Sequence, residues 1–169
     1  MFANAAAHSK STDRITVPIE HLRFMDPQVN GKLRLLVADD DANLREALGE
    51  FFVREGFVVE LAASGLEAID QLRRRLFDVS ILDGHMPGLS GPQVLRRLLE
   101  DLGPAAIPPT VLVSSDVSIE AWVHEQFGSG IGGRGIGSVG FVPKPIRLDA
   151  LRRSIRQLLA RSPPFPPAP

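Results

Sequence analysis

The chain has 169 residues, 44% hydrophobic and 23% charged, with a formal net charge of −1 and no cysteine. That length suits one ordinary domain whose core needs no covalent staple, and without cysteine there is no disulfide and no thiolate metal site. The near-neutral balance argues against a nucleic-acid footprint, and without a signal-like leader or a run approaching ~18 apolar residues, no membrane association and a cytoplasmic location are expected.

Residues 1–32 read as a flexible arm. The stretch Met1–Ser11 is rich in Ala, Asn and Ser without periodicity, Pro18 limits Ile15–Ile19 to an edge piece, and Asp26-Pro27 and Asn30-Gly31 are turn signals. From residue 33 the pattern alternates. Leu33–Ala38 is a short apolar run of the kind buried on both faces of a sheet. Leu44, Ala47, Leu48, Phe51 and Phe52 recur at helical spacing, and Gly56 ends that helix. A second strand follows at Phe57–Leu61; Ser64 then caps a helix carrying Leu66, Ile69 and Leu72, with Glu67 placed to complete a capping box. Val79–Leu82 is a third strand and Val94, Leu95, Leu98 and Leu99 mark a third helix. Thr110–Val113 and Val139–Val142 are the fourth and fifth strands, followed by helices marked by Ile119, Trp122, Val123, Phe127 and by Leu148, Leu151, Ile155, Leu158. The end, 161–169, is a proline-rich tail expected to be extended and solvated. Five strands alternating with five helices over 33–160 predict an α/β domain, a doubly wound five-stranded parallel sheet with helices on both faces.

Ligands of such sheets bind outside the carboxyl ends of the strands. There the first strand offers Asp39-Asp40-Asp41, the third Asp83, the fourth Ser114-Ser115 and the fifth Lys144-Pro145. Two carboxylates ~4 Å apart repel by roughly 4 kcal/mol at an effective dielectric of about 20, so several together need cations or raised pKa values. A Mg²⁺ ion would resolve the repulsion, with Lys144 adding one positive charge. Such a site suits phosphate chemistry: a carboxylate can be the nucleophile that forms an aspartyl-phosphate, metal and lysine offset charge on the phosphoryl oxygens, and the Ser114 hydroxyl can bond one of them. Each acid alone is more often a helix cap or surface group, the role expected of Asp41; the case rests on four strand ends with complementary chemistry.

The blocks LLVADDD, ILDGHMPGLSG, TVLVSS and FVPKP resemble those of CheY-like response regulator receiver domains, over about residues 33–160. The resemblance implies the (βα)5 flavodoxin-like fold and phosphorelay signalling. By it Asp83 is the phosphoacceptor, Asp39 and Asp40 hold Mg²⁺ together with Asp83 and the backbone carbonyl of His85, Ser114 and Phe141 are switch residues, and Lys144 is the paired lysine, followed by a proline after a usually cis bond. It further implies a histidine kinase or histidine phosphotransfer protein as donor. HMPG is similar to receivers of hybrid histidine kinases. With no output domain after residue 160, the output is expected to be contact with an unidentified protein, or onward phosphotransfer.

The chain also makes choices of its own. The segment 128–140, with six glycines between 128 and 137, is roughly eight residues longer than the short loop usual before a fifth strand, and lacks the Lys-Ser/Thr pair of a P-loop. His85 and Asp116 each lie two residues beyond a site residue and are expected to flank the path of water to the phosphoryl group, tuning its lifetime. Trp122 falls on the outward face of the fourth helix in the family register, a candidate partner face; the alternative is a partly buried core tryptophan. His8, His21 and His124 have no partner at zinc spacing, and Arg73-Arg74-Arg75 reads as a solvated helix end. Two rivals stay open. An aspartyl-phosphate phosphohydrolase of haloacid dehalogenase type would carry Asp-x-Asp at the first strand, where this chain has consecutive acids. A phosphorylation-independent interaction module would keep the fold without the chemistry.

Overall fold

The computed structural model describes residues 31–104, 107–128 and 139–161; the expectations for the arm, the glycine-rich segment and the tail lie outside them. Five strands, β1 (Arg34–Ala38), β2 (Val58–Ala62), β3 (Val79–Asp83), β4 (Thr110–Ser114) and β5 (Val139–Pro143), alternate with five helices, α1 (Ala42–Arg54), α2 (Gly65–Arg74), α3 (Gly91–Leu102), α4 (Val117–Phe127) and α5 (Leu148–Arg161). The sheet is parallel throughout, in the order β2-β1-β3-β4-β5. The doubly wound α/β architecture is as expected. The last four strands run one residue further than the apolar runs suggest, so Asp83 and Ser114 are the final residues of β3 and β4.

Because successive side chains of a strand point to opposite faces, the continuous apolar strands feed two cores. Leu36, Ala38, Leu82 and Leu112 join Ala68, Ile69 and Leu72 of α2, Val94, Leu95 and Leu98 of α3, and Ile119 and Val123 of α4. Their neighbours Leu35, Val37, Ile81, Val111 and Val113 pack with Leu48 and Phe52 of α1 and Leu151, Ile155 and Leu158 of α5. Burial on both faces leaves only the ends of the strands open to chemistry.

The helix starts are set by short polar side chains that accept from otherwise unbonded N–H groups. Asp41 accepts from the N–H groups of Asn43 and Leu44, as expected of a cap. Ser64 accepts from Glu67 N, but the Glu67 carboxylate takes the N–H of Ala63 rather than that of Ser64, so the predicted capping box is not reciprocal. A full box occurs instead at α3, where Ser90 and Gln93 bond each other's backbone N–H. Its Ser-x-x-Gln signal stands in the sequence at Ser90 and Gln93. Among the described residues no helix is long and apolar enough to cross a membrane.

Candidate functional site

The carboxyl ends of β1, β3, β4 and β5 meet because β3 is next to β1 and β4, and β5 is next to β4. Asp39 follows β1 directly and is 3% exposed; Asp83 is 4% exposed; Asp40, one residue on, faces solvent. Carboxylate oxygens of Asp39, Asp40 and Asp83 all lie within 4.8 Å of one another. Lys144, just past β5, reaches between the two buried acids, its Nζ 3.1 Å from Asp39 Oδ2 and 3.2 Å from Asp83 Oδ1. The backbone holds each of these residues in place. Asp39 N donates to Ala62 O, Gly84 N to Val113 O, and Lys144 N to Ser114 O. The Asp39 carboxylate also accepts from Asp41 N at 2.9 Å, and Asp83 from His85 N at 3.3 Å. The Lys144–Pro145 bond is cis, as the resemblance implies.

The electrostatics follow from this crowding. Burial pushes the Asp83 carboxyl above its ordinary pKa of 3.8, the charge of Asp39 pushes the same way, and Lys144 with the His85 N–H opposes without cancelling them. For Lys144 burial works against the charged form. Its hydrogen bond to Asp39 and the charges of Asp83 and Asp39 outweigh that, and its pKa is raised. One ammonium thus serves a cluster of three carboxylates, and the Asp83 carboxyl holds its proton more tightly than in water. A hard divalent cation with oxygen ligands fits this donor set, since it would supply the positive charge the cluster lacks.

Beside the acids lies a second group. His85 Nδ1 is 3.2 Å from Ser114 Oγ, Asp116 N donates to the same oxygen at 3.1 Å, and His85 Nε2 is 3.6 Å from Asp116 Oδ2. Asp116 also caps α4 by accepting from Ser118 N at 2.8 Å, and hydrogen bonds from the Ser118 side chain and backbone lower its pKa. Sequence reasoning placed His85 and Asp116 near the site separately; it missed that they face each other across Ser114. It also missed Arg45, whose Nη1 donates to the Asp39 carbonyl at 2.7 Å. The signal was its place one helical turn after the cap, Asp41.

The remaining candidates stand apart from the acids. Phe141 is half-buried on β5, in register with Leu112 and packed on the α2–α4 side of the sheet. Trp122 does not stand free on the outward face of α4. It is half-buried against the same core, its ring edge-on to Phe127 at 5.6 Å. The helix is turned so that Ile119 and Val123 point inward with Trp122 beside them. The partly buried alternative is the one that describes its position.

Comparison with known proteins agrees with the fold. Residues 35–156 match the family model described as the response regulator receiver domain. The response regulator MprA of Mycobacterium sp. (strain KMS) is 36% identical over 135 residues, covering 78% of this chain and 53% of that protein. The same figures hold for MprA of Mycobacterium tuberculosis (strain ATCC 25177 / H37Ra), so the chain spans about half the length of the curated relatives it matches. Among solved structures, the receiver domain of the Francisella response regulator 1452 superposes with a TM-score of 0.64 at 25% identity, covering 77% of this chain and 98% of that one. The response regulator TrrA of Thermotoga maritima, in complex with Mg²⁺ and BeF, gives 0.58 at 26% identity, covering 75% and 98%. With a family match over most of its length and five parallel strands in the order β2-β1-β3-β4-β5, the chain belongs to the response regulator receiver domains of two-component signalling, a family phosphorylated on aspartate.

Proposed function

We propose that Asp83 is the phosphoacceptor of this domain, taking a phosphoryl group from the phosphohistidine of a histidine kinase or histidine phosphotransfer protein. An Asp83 carboxylate oxygen attacks phosphorus while the P–N bond of the donor breaks; the electron pair leaves with the imidazole nitrogen, which takes up a proton from solvent. Asp39, Asp40 and Asp83, with the His85 carbonyl, would hold Mg²⁺, which supplies positive charge at the phosphoryl oxygens. The observation that carries the reading is Lys144, whose single ammonium lies within 3.2 Å of both buried carboxylates. It is placed to move from carboxylate to phosphoryl oxygen without being brought in from solvent. The added charge of roughly −1.5 to −2 would then draw on Ser114 and on Phe141 of β5, altering the face formed by α4, β5 and α5 toward an output protein. Asp83 is consumed and regenerated as a signal, which makes the domain a cytoplasmic switch rather than a turnover enzyme.

The test is incubation with acetyl phosphate and Mg²⁺. Wild type should gain one acid-stable, base-labile phosphate, and Asp83→Asn none. Equal labelling of Asp83→Asn would remove Asp83 from the role. In a parallel titration Asp40→Ala should bind Mg²⁺ more weakly than wild type; equal affinity would assign the exposed acid another purpose.

A further inference from the structure

The Ser114 hydroxyl is committed on both sides. Its oxygen accepts from Asp116 N at 3.1 Å and lies 3.2 Å from His85 Nδ1. A serine hydroxyl has one hydrogen to give. Its oxygen has two lone pairs, so the bond from the backbone leaves the direction of the contact with Nδ1 to be set by the tautomer of the imidazole. Nε2 is the nitrogen 3.6 Å from the Asp116 carboxylate, which favours the tautomer with the ring proton on Nε2 and leaves Nδ1 to accept the Ser114 hydrogen. Gly84 makes the approach possible. A Cβ there would stand 2.6 Å from Ser114 Cβ and 2.7 Å from Ser114 Oγ. The order Ser-His-Asp resembles a hydrolase triad, but Ser114 is 1% exposed and offers no substrate an approach. His85, by contrast, has 63% of its side chain exposed, so burial does not explain its position.

A phosphoryl group is an acceptor only. On the reading that Asp83 takes one, the hydrogen Ser114 would donate to it is the hydrogen now donated to His85. We infer that His85 is a positioning residue that holds the Ser114 hydroxyl in the unphosphorylated protein, competing with the phosphoryl group for its one hydrogen. Because Asp116 is both the partner of the imidazole and the cap of α4, release of Ser114 by His85 is felt at the first turn of that helix.

The test uses the full chain with Mg²⁺ and beryllium fluoride as the phosphoryl stand-in. It is read by the fluorescence of Trp122, the one tryptophan of the chain, which sits on α4. His85→Ala should bind the analogue about fivefold more tightly, the loss of one competing hydrogen bond. His85→Asn keeps a polar atom at the distance of Nδ1 from the backbone and should stay near wild type. In a Ser114→Ala background, His85→Ala should gain nothing. Unchanged or weaker binding by His85→Ala, equal gains for Ala and Asn, or the same gain without Ser114 would each overturn the inference. The imidazole is read separately, without any analogue: ¹⁵N spectra should place the His85 proton on Nε2, with that preference weakened in Ser114→Ala. A proton on Nδ1 would also overturn the inference. A wild type that ignores beryllium fluoride while showing the Nε2 tautomer would instead strike the phosphoacceptor reading, and with it the competition.

Discussion

Two charge clusters sit at the two ends of β1. At its start, the Glu60 carboxylate accepts from two guanidiniums, Arg34 Nη2 at 2.6 Å and Arg75 Nη1 at 3.0 Å, and the Arg34 N–H donates to Asp78 at 2.7 Å. At its finish, the Lys144 ammonium serves two buried carboxylates with a third, Asp40, adjoining. The first cluster comes close to charge balance, and Arg75, 54% exposed, carries part of it into water. The second keeps an excess of negative charge where the side chains of Asp39 and Asp83 are about 5% exposed or less. Folding alone gains nothing from that excess. A balanced cluster is finished when the chain has folded, whereas an unbalanced one is finished by what it later binds.

Substitutions can break this contrast. The largest effect is expected at Lys144. Lys144→Met should lower the rate of phosphorylation from acetyl phosphate by about 100-fold, the scale for losing one preorganised donor; a rate near wild type would make Lys144 a structural counter-ion like those at the other end. Glu60→Gln should do the reverse. It should leave that rate unchanged and lower stability in urea by about 1–2 kcal/mol, because two guanidiniums lose a charged acceptor and the Arg34 side chain is only 11% exposed. Slower phosphorylation in Glu60→Gln would couple the two ends.

The smallest effect sharpens the contrast through pH. Burial and Asp39 raise the folded-state pKa of Asp83 above 3.8, so the native protein binds this proton more tightly than the unfolded chain. Its contribution to stability therefore falls as pH rises from 3.8 through the folded pKa, and the cost is complete above it. Asn carries no such cost. Asp83→Asn should unfold at higher urea than wild type at neutral pH, with the gap closing as pH falls toward 3.8. A gap that widens on acidification would mean that Asp83 is stabilised by its neighbours.

The strands and helices were legible because their signals are local. The apolar runs at Leu35–Val37 and Val111–Val113 and the 3–4 spacing of Val94, Leu95 and Leu98 can be read within a few residues. The site acids were legible because parallel strands deliver their ends to one edge. What stayed hidden depends on pairs far apart in the chain. Glu60 and Arg34 look like ordinary surface charges until β1 and β2 pair with Leu36 beside Glu60. The contact of His85 with Ser114 spans 29 residues and follows from Asp83 pairing with Val113, which no motif encodes. Trp122 was misplaced for a related reason: a helix's pattern gives its apolar face, but the width of that face is set by neighbours such as Phe127.

The bond between Lys144 and Asp39 joins residues 105 apart in sequence, from the first strand to the edge strand that completes the sheet. A ribosome delivers these ends at different times. While residue 144 is still unmade, the acids of β1 and β3 stand without the one ammonium that the structure places between them. On the proposed reading, competence to be phosphorylated arrives with β5, and a nascent or truncated domain lacking that strand would be silent to the donor. The same lysine proposed to serve the chemistry would make the signal conditional on a finished domain.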